Sequence, residues 1–342
     1  MEVFCNPIIS IIIPIYNGDK YLRKTFDSIV AQDFGEYEVI CVNDCSNDDS
    51  LAIINEYVGR DQRFRLFSSK TNLGIVPKVI NSIISYAQGQ YYFYSSQDDI
   101  FSVDLLGSMY TKALETGADA VIPDLVFYYE NQPHKNKLLS GLRGDKKIVL
   151  TNREAFYYSL DWLIPGNALW KIDLLKKIGY YDFSMNADEY TTRVWFLNCN
   201  KIVFSCGTFF YRQDNIDAIT KKLSIKKFDI PYTDYMLWKL ARDNQFSYEV
   251  QEKLIINSWR GLIHYNSLSY FSEFSSARKK INDLYLICTS VETNLFITKS
   301  IRKASFFNVR LAMRSFYYFK AISILKAVKR VIKSALRSTR NL

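Results

Sequence analysis

Tyr91-Tyr92-Phe93-Tyr94-Ser95-Ser96-Gln97-Asp98-Asp99 is the stretch on which the reading of this chain turns. An aromatic run suited to a buried strand passes directly into two adjacent carboxylates. An earlier strand-like run, Glu38-Val39-Ile40-Cys41-Val42, ends in Asn43-Asp44. In an open parallel sheet the ligand crevice lies beyond the carboxyl ends of the strands. Two strands that both end in Asp therefore gather carboxylates round one cleft. Such a cleft suits a divalent cation that holds a diphosphate, since magnesium binds through one or two carboxylates plus substrate phosphates.

Outward from that stretch, residues 8–122 alternate strands with amphipathic helices, the pattern of an α/β protein with a parallel sheet. Residues 8–15 form a continuous β-branched run, as expected of a strand covered on both faces. Helices are expected over 20–32, 49–58, 75–88 and 103–115, with strands over 38–42, 64–67, 91–95 and 118–122. Beyond about residue 123 the rhythm breaks. Strands are expected over 125–130, 146–150, 201–206 and 208–212, and helices over 152–160, 171–178 and 188–197. From about 221 the chain is mostly helical, without strand alternation.

The 342 residues, 48% hydrophobic and 15% aromatic, are enough for a large core and about two domains at ~150 residues each. His134 and His264 have no local metal-ligand spacing, which sets zinc aside. The six cysteines are scattered, with no C-x-x-C pair, and no charged n-region followed by an apolar run opens the chain. A reduced, cytosolic protein is the expectation. The net charge of +9 is local: residues 299–342 hold twelve of the 44 Lys/Arg and none of the 35 Asp/Glu, so the rest of the chain is slightly acidic.

After the first strand comes Pro14-Ile15-Tyr16-Asn17-Gly18-Asp19, with no Gly-rich dinucleotide fingerprint, and no G-x-x-x-x-G-K-[ST] loop occurs. Dehydrogenase and P-loop chemistry are set aside on that ground. Several pieces do occur in a telling order: Ser10 to Asn17, Tyr21-Leu22, Ser28 to Gln32, Val42 to Ser50, Asn72-Leu73-Gly74, Asn81, Ala87-Gln88-Gly89 and Gln97-Asp98-Asp99. This ordered set over roughly residues 8–106 resembles the nucleotide-binding half of family 2 inverting glycosyltransferases. Pro165 to Ala168, Asp188 to Arg193 and Tyr211-Arg212 to Ile219-Thr220 continue it more loosely. The fold implied is GT-A, a Rossmann-like, mostly parallel sheet with flanking helices. The expected division is a catalytic domain over 1–220, split into a donor half (1–106) and an acceptor half (107–220). A helical region follows over 221–342.

The resemblance implies that Pro14, Tyr16 and Asn17 line the nucleoside pocket and that Asp44 hydrogen-bonds the base, a preference usually seen with uracil. Asp98 and Asp99 would contact the ribose and a manganese or magnesium ion on the donor diphosphate. The plainer alternatives are an Asx-turn for Asp44 and a helix N-cap for the acidic pair. Adjacent carboxylates repel, and a cation removes that cost. Lys78 is the nearest candidate to complement a phosphate, with Asn81 beside it; it reads equally as a solvated helix residue. The chain departs from the family pattern at Ser96, where a further Asp is common, and at Gly18-Asp19, where a Glu often stands.

Inverting transfer needs a base for the acceptor hydroxyl. Asp188 stands where the family places it, Glu189 is the runner-up, and Arg193 is placed to orient one of them. The alternative is a helix N-terminal acidic pair of purely structural use. Trp162 and Trp170 read either as acceptor walls or as core. Processive synthases of the family carry transmembrane helices and a Q-x-x-R-W signature; neither occurs here, so one sugar per acceptor is expected.

In the tail, Ala321, Leu325, Val328, Ile332 and Leu336 recur at helical spacing, with Lys326, Arg330, Lys333, Arg337 and Arg340 as a second stripe. Phe306, Phe307 and Phe316 to Phe319 add aromatics. Such a helix reads as membrane-surface binding, at ~1 kcal/mol per basic residue near an anionic leaflet. The alternative is a helix packed on the catalytic domain with a solvated cationic face. No recognised nucleic-acid module accompanies the charge. The function expected is therefore transfer of one sugar from a nucleotide sugar, a UDP-sugar, to a saccharide or lipid-linked acceptor in surface polysaccharide synthesis, at the cytosolic membrane face. A non-catalytic sugar-nucleotide-binding or membrane-docked scaffold is the second reading, and Ser96 is its support. A nucleotidyltransferase is the third, and it lacks the Gly-rich N-terminal loop it would need.

Overall fold

Strand β1 (Ile9–Ile15) forms the middle of a sheet because its isoleucines are divided between two cores. Ile9, Ile11, Ile13 and Ile15 enter one with Leu22, Phe26 and Ile29; Ile12 enters the other with Ile40, Val42 and Tyr92. The period of two in a strand makes this division, and apolar residues on both sides explain the unbroken run. The computed structural model describes residues 6–219, 221–289 and 307–338. They divide into two units, one of Met1–Phe183 with Ala187–Lys222, the other of Ser184–Asn186 with Leu223–Leu342.

In the first unit the order of elements is β1, α1 (Asp19–Val30), β2 (Tyr37–Asn43), α2 (Ser50–Arg60), β3 (Phe64–Ser68), α3 (Val76–Asn81), β4 (Tyr91–Tyr94) and β5 (Ile100–Phe101). Then come α4 (Leu105–Thr116), β6 (Ala120–Tyr128), β7 (Lys137–Leu139), α5 (Asn152–Ser159), β8 (Leu169–Lys171), α6 (Ile172–Ile178), α7 (Ala187–Leu197) and β9 (Ile202–Arg212). The strands lie in the order β3-β2-β1-β4-β8-β6-β9-β5, with β7 on β6. β8 is antiparallel to both β4 and β6, and β9 is parallel to β6. Strands β3, β2, β1, β4, β6 and β9 thus all point one way, and their carboxyl ends share one edge.

Four expectations are corrected. The helix expected over 75–88 stops at Asn81 and a 3-10 turn covers Ile84–Tyr86. The Asn81 amide is engaged there with the backbone of Tyr180, donating to its carbonyl at 2.7 Å and accepting from its N–H at 2.9 Å. Residues 146–150 form no strand; Leu150 alone bridges Ile202, while Lys146 is drawn to Asp124 at 2.6 Å. The segments 118–122 with 125–130, and 201–206 with 208–212, are each one long strand, β6 and β9, carried past an irregularity at Asp124. Strands β5 and β8, two and three residues long, are too short to show a period.

The second unit holds α8 (Ile230–Asp243), α9 (Tyr248–Leu268), α10 (Arg278–Cys288), α11 (Phe307–Arg314) and α12 (Phe316–Ser338). Its core is aromatic: Phe228, Trp238, Trp259, Tyr285 and Phe319 are buried. Among the described residues no helix is long and apolar enough to cross a membrane. In α12 it is the packed-helix alternative, with its solvated cationic face, that is reversed. Leu325, Val328 and Ile332 are exposed, whereas Lys326 and Arg330 are turned inward and half-buried. Thr220, Phe306 and Arg340, and the side chains of Phe307, Leu336 and Arg337, lie outside the described residues.

Candidate active site

The shared edge of the sheet collects the sequence candidates. β1 runs out into Pro14, Tyr16 and Asn17; Pro14 is half-buried and Tyr16 exposed. Asn17 adopts φ +51, a left-handed conformation that Asn tolerates better than most residues. Its amide oxygen accepts from Asn47 N–H at 2.8 Å, and its own N–H donates to Ser46 Oγ at 3.1 Å. The loops after β1 and β2 are thereby stitched together. Asp44, buried after β2, takes the Leu73 N–H on its carboxylate at 2.9 Å and donates its own N–H to the Ile15 carbonyl at 2.8 Å. It ties down the loop after β3 rather than closing an Asx-turn. Lys78 is exposed on α3 and stands in the first turn beyond that loop.

Asp98 and Asp99 lie in the turn between β4 and β5 and cap no helix: α4 begins six residues later, at Leu105, with Asp104 before it. Asp99 is 1% exposed, and its carboxylate accepts from Ser96 N–H at 3.2 Å and Arg212 N–H at 3.0 Å. Asp98 accepts from the Asn215 side chain at 2.6 Å. Burial, and then the neighbouring Asp98 charge, push the Asp99 carboxyl up to about 8. Arg212 braces this turn. Its Nε donates to the Asp98 carbonyl at 2.8 Å, Nη1 reaches Glu130 and Asp214 at 3.0 Å each, and Tyr21 and Tyr128 flank the guanidinium. Gln97 closes the turn against β1, receiving Tyr16 N–H at 2.8 Å and returning a bond to the Tyr16 carbonyl at 3.1 Å.

Asp188 and Glu189 open α7. Arg193, 5% exposed, pairs with the Glu189 carboxylate, bonds the Glu189 carbonyl at 3.0 Å and the Ser159 carbonyl at 2.6 Å. The arginine therefore holds Glu189 and leaves Asp188 to the cleft. Asp188 is exposed to solvent at the start of the helix, with protein crowded round its carboxyl group. Burial, followed by the Glu189 charge, raises it well above the usual carboxylate range. The two acidic pairs converge on Tyr94 and Tyr211. The Tyr211 hydroxyl is pushed up by burial and then by the charges of Asp99, Asp188, Asp98 and Glu189; Tyr94 is pushed up by burial, then Asp99 and Asp188.

Of the two tryptophans, Trp170 is core, 5.2 Å from Trp195, and Trp162 stands exposed at φ +55 beside Phe127. Sequence reasoning missed the parts played by Gln97, Arg212, Asn215, Tyr94 and Tyr211. Tyr211-Arg212 sat in the ordered pattern, but nothing in it said that β9 would return to β4's edge. Among the described residues no three His, Cys, Asp or Glu side chains converge as a closed metal site. The paired carboxylates without a cationic partner fit a hard cation whose remaining ligands come from substrate oxygens.

Residues 10–179 match the family model described as glycosyl transferase family 2. Glycosyltransferase GlyG of Streptococcus pneumoniae is 28% identical over 217 residues, which cover 60% of this chain and 71% of that one. The poly(ribitol-phosphate) beta-N-acetylglucosaminyltransferase TarS of Staphylococcus aureus is 32% identical over 222 residues, 59% of this chain and 35% of its own length. In structure, TarS 1–349 in complex with UDP-GlcNAc superposes with a TM-score of 0.64 at 17% identity, covering 97% of this chain and 92% of the other. The mannosyltransferase PcManGT from Pyrobaculum calidifontis, solved with GDP-Man and Mn2+, gives 0.53 at 14% identity, covering 95% and 88%.

Proposed function

The chain belongs to glycosyltransferase family 2, and from that premise we propose an inverting transfer of one sugar from a UDP-sugar to a saccharide or lipid-linked saccharide. The setting proposed is surface polysaccharide synthesis. What supports this reading most is that the charges of Asp99, Asp188, Asp98 and Glu189 all bear on the Tyr211 hydroxyl, as expected if donor-side and acceptor-side acids face one cleft. TarS, named for a ribitol-phosphate polymer and solved with UDP-GlcNAc, supports the uridine donor and the polymeric acceptor.

In this reading Pro14, Tyr16 and Asn17 line the nucleoside, Asp44 meets the base, Asp98 the ribose, and Lys78 complements a phosphate. Asp98 and Asp99 would hold manganese or magnesium, as the Mn2+ in PcManGT supports. The cation, when bound, supplies stabilisation of the charge that develops on the leaving diphosphate. Asp188 accepts the proton of the attacking hydroxyl; its raised affinity for that proton suits a base working near neutral pH. Arg193 keeps Glu189 fixed beside it. The C-terminal tail places the enzyme on the cytosolic face of an anionic membrane.

Incubation with manganese and a panel of nucleotide sugars tests the proposal by release of nucleoside diphosphate. Release with one donor, lost in Asp99→Asn, is the expected result, and no release or binding with any donor overturns it. Ser96 at a position where a third acid is common favours a second reading, a non-catalytic scaffold. Asp188→Ala separates the two, because a scaffold keeps its role in the cell with that substitution and an enzyme loses it.

A further inference from the structure

Helix α12 packs on α9 and α10 through Phe319, Ser323 and Ala327, which are buried. The Phe319 ring lies 4.8 Å from Tyr285 and 6.4 Å from Trp259. Lys326 and Arg330 share that inner face, and Arg330 donates to His264 Nδ1 at 2.9 Å. At about 100° per residue the far side of the helix brings Tyr317, Ile324, Leu325, Val328, Val331 and Ile332 into one arc. All six are exposed, from 44% for Ile324 to 75% for Tyr317. Lys320 borders the arc on one edge, with Lys329 and Lys333 on the other, and these lysines are exposed as well. A surface helix normally turns its apolar stripe to the core and its charges to water. This one does the reverse, and an unbroken apolar arc on a surface marks an interaction site.

Charge decides what covers it. Residues 299–342 carry twelve Lys/Arg and no Asp or Glu. A second copy of the same helix, related by a twofold, would set lysine against lysine. An anionic lipid surface answers both features: its acyl boundary takes the apolar side chains, while the bordering lysines extend their stems to reach phosphates. Tyr317 and Tyr318 suit the interfacial level. We propose that α12 lies flat on an anionic bilayer with this arc as its inserted face. The assignment rests on the membrane location proposed above and names the surface responsible.

The full chain sedimented with vesicles of phosphatidylcholine alone, or mixed with phosphatidylglycerol, tests it. The wild type is expected to bind the mixed vesicles only. Combined Leu325→Ser, Val328→Ser and Ile332→Ser should reduce partitioning by more than about tenfold. The melting temperature should stay unchanged, because these side chains lie outside the packed face. Independently, Val328→Trp should shift its indole emission to the blue on mixed vesicles. Equal binding by the triple variant, or bound protein without that shift, overturns the arc while the membrane location stands. A wild type that binds neither vesicle removes the membrane location itself. A dimer in light scattering that the triple variant abolishes assigns the arc to a second copy and overturns the proposal.

Discussion

The two acidic pairs look alike in sequence and are held in different ways. Asp98-Asp99 is fixed by uncharged donors: the Ser96 and Arg212 N–H groups and the Asn215 amide. The Arg212 guanidinium passes the carboxylates by, binding the Asp98 carbonyl and turning to Glu130 and Asp214. Among the described residues neither acid has an ion-pair partner. At Asp188-Glu189 an arginine one helical turn on takes Glu189 and leaves its neighbour. In one pair burial and the neighbouring charge make Asp99 hard to ionise, a penalty that a cation would relieve. The other divides into an acid paired with an arginine and one held by backbone N–H groups. Adjacent acids are thus a weak signal by themselves; what matters is where the nearest guanidinium points.

The sharpest way to break this comparison is to neutralise one acid from each pair. Asp188→Asn should lower kcat by about 10²–10⁴-fold, the range of a lost general base, while donor affinity stays within about threefold. Asp99→Asn should lose turnover to a similar extent and also the thermal stabilisation that manganese gives the donor complex. Calorimetric donor titration with and without manganese, run beside steady-state assays, reads both. Equal donor binding by the two variants would erase the distinction between the pairs.

A smaller effect separates the two arginines. Arg212→Met removes the bond to the Asp98 carbonyl and the ion pairs to Glu130 and Asp214, a loss of about 1–3 kcal/mol in stability together with manganese affinity. Arg193→Met should lower stability by a similar amount, because the Ser159 carbonyl loses its charged donor and Glu189 its partner, and leave manganese affinity intact. Denaturant melts and manganese titrations of both variants decide whether each arginine serves only its own pair.

The pH response sharpens the second pair. Because the native Asp188 carboxyl is raised, it keeps a proton that the unfolded chain has already released. Its contribution to stability is present below the ordinary carboxylate range and is lost as pH rises through the raised value. The same rise creates the base. Activity should therefore climb from mildly acidic towards neutral pH while the wild type loses stability relative to Asp188→Asn over that window. Flat profiles for both would remove Asp188 from the chemistry.

The donor half was legible because its signals are local. The isoleucines of β1, the strand ends at Asp44 and Asp98 and the break after Tyr16 each state their structure within a few residues. The acceptor half is built from long-range pairings: β8 slipped between β4 and β6, β9 carried back beside β6, and Arg212 braced against a turn 113 residues earlier. No window of sequence contains those partners. The orientation of α12 stayed open for another reason. Periodicity finds an apolar stripe and a basic one, but only Phe319 and Ser323 packing inward shows which of the two meets the protein.

The smallest expected effect concerns Gly18, which follows the β1 tip and needs no left-handed backbone, its φ being −112. A Cβ there would stand 2.6 Å from Gln97 Cδ and Oε1. Gln97 is the end of a flexible side chain, so Gly18→Ala should displace it rather than unfold the loop. The cost is its two bonds to the Tyr16 backbone, at most about 1 kcal/mol each and less because water replaces them at this exposed site. The donor KM should rise by about three- to tenfold with kcat nearly unchanged, if that clamp shapes the nucleoside pocket. Gln97→Ala should give the same change, and the double variant should add nothing, since both substitutions remove one contact. Additive effects would mean that Gly18 acts on the donor by another route, through Ser50 Oγ, which accepts its N–H at 2.8 Å and ties β1 to α2.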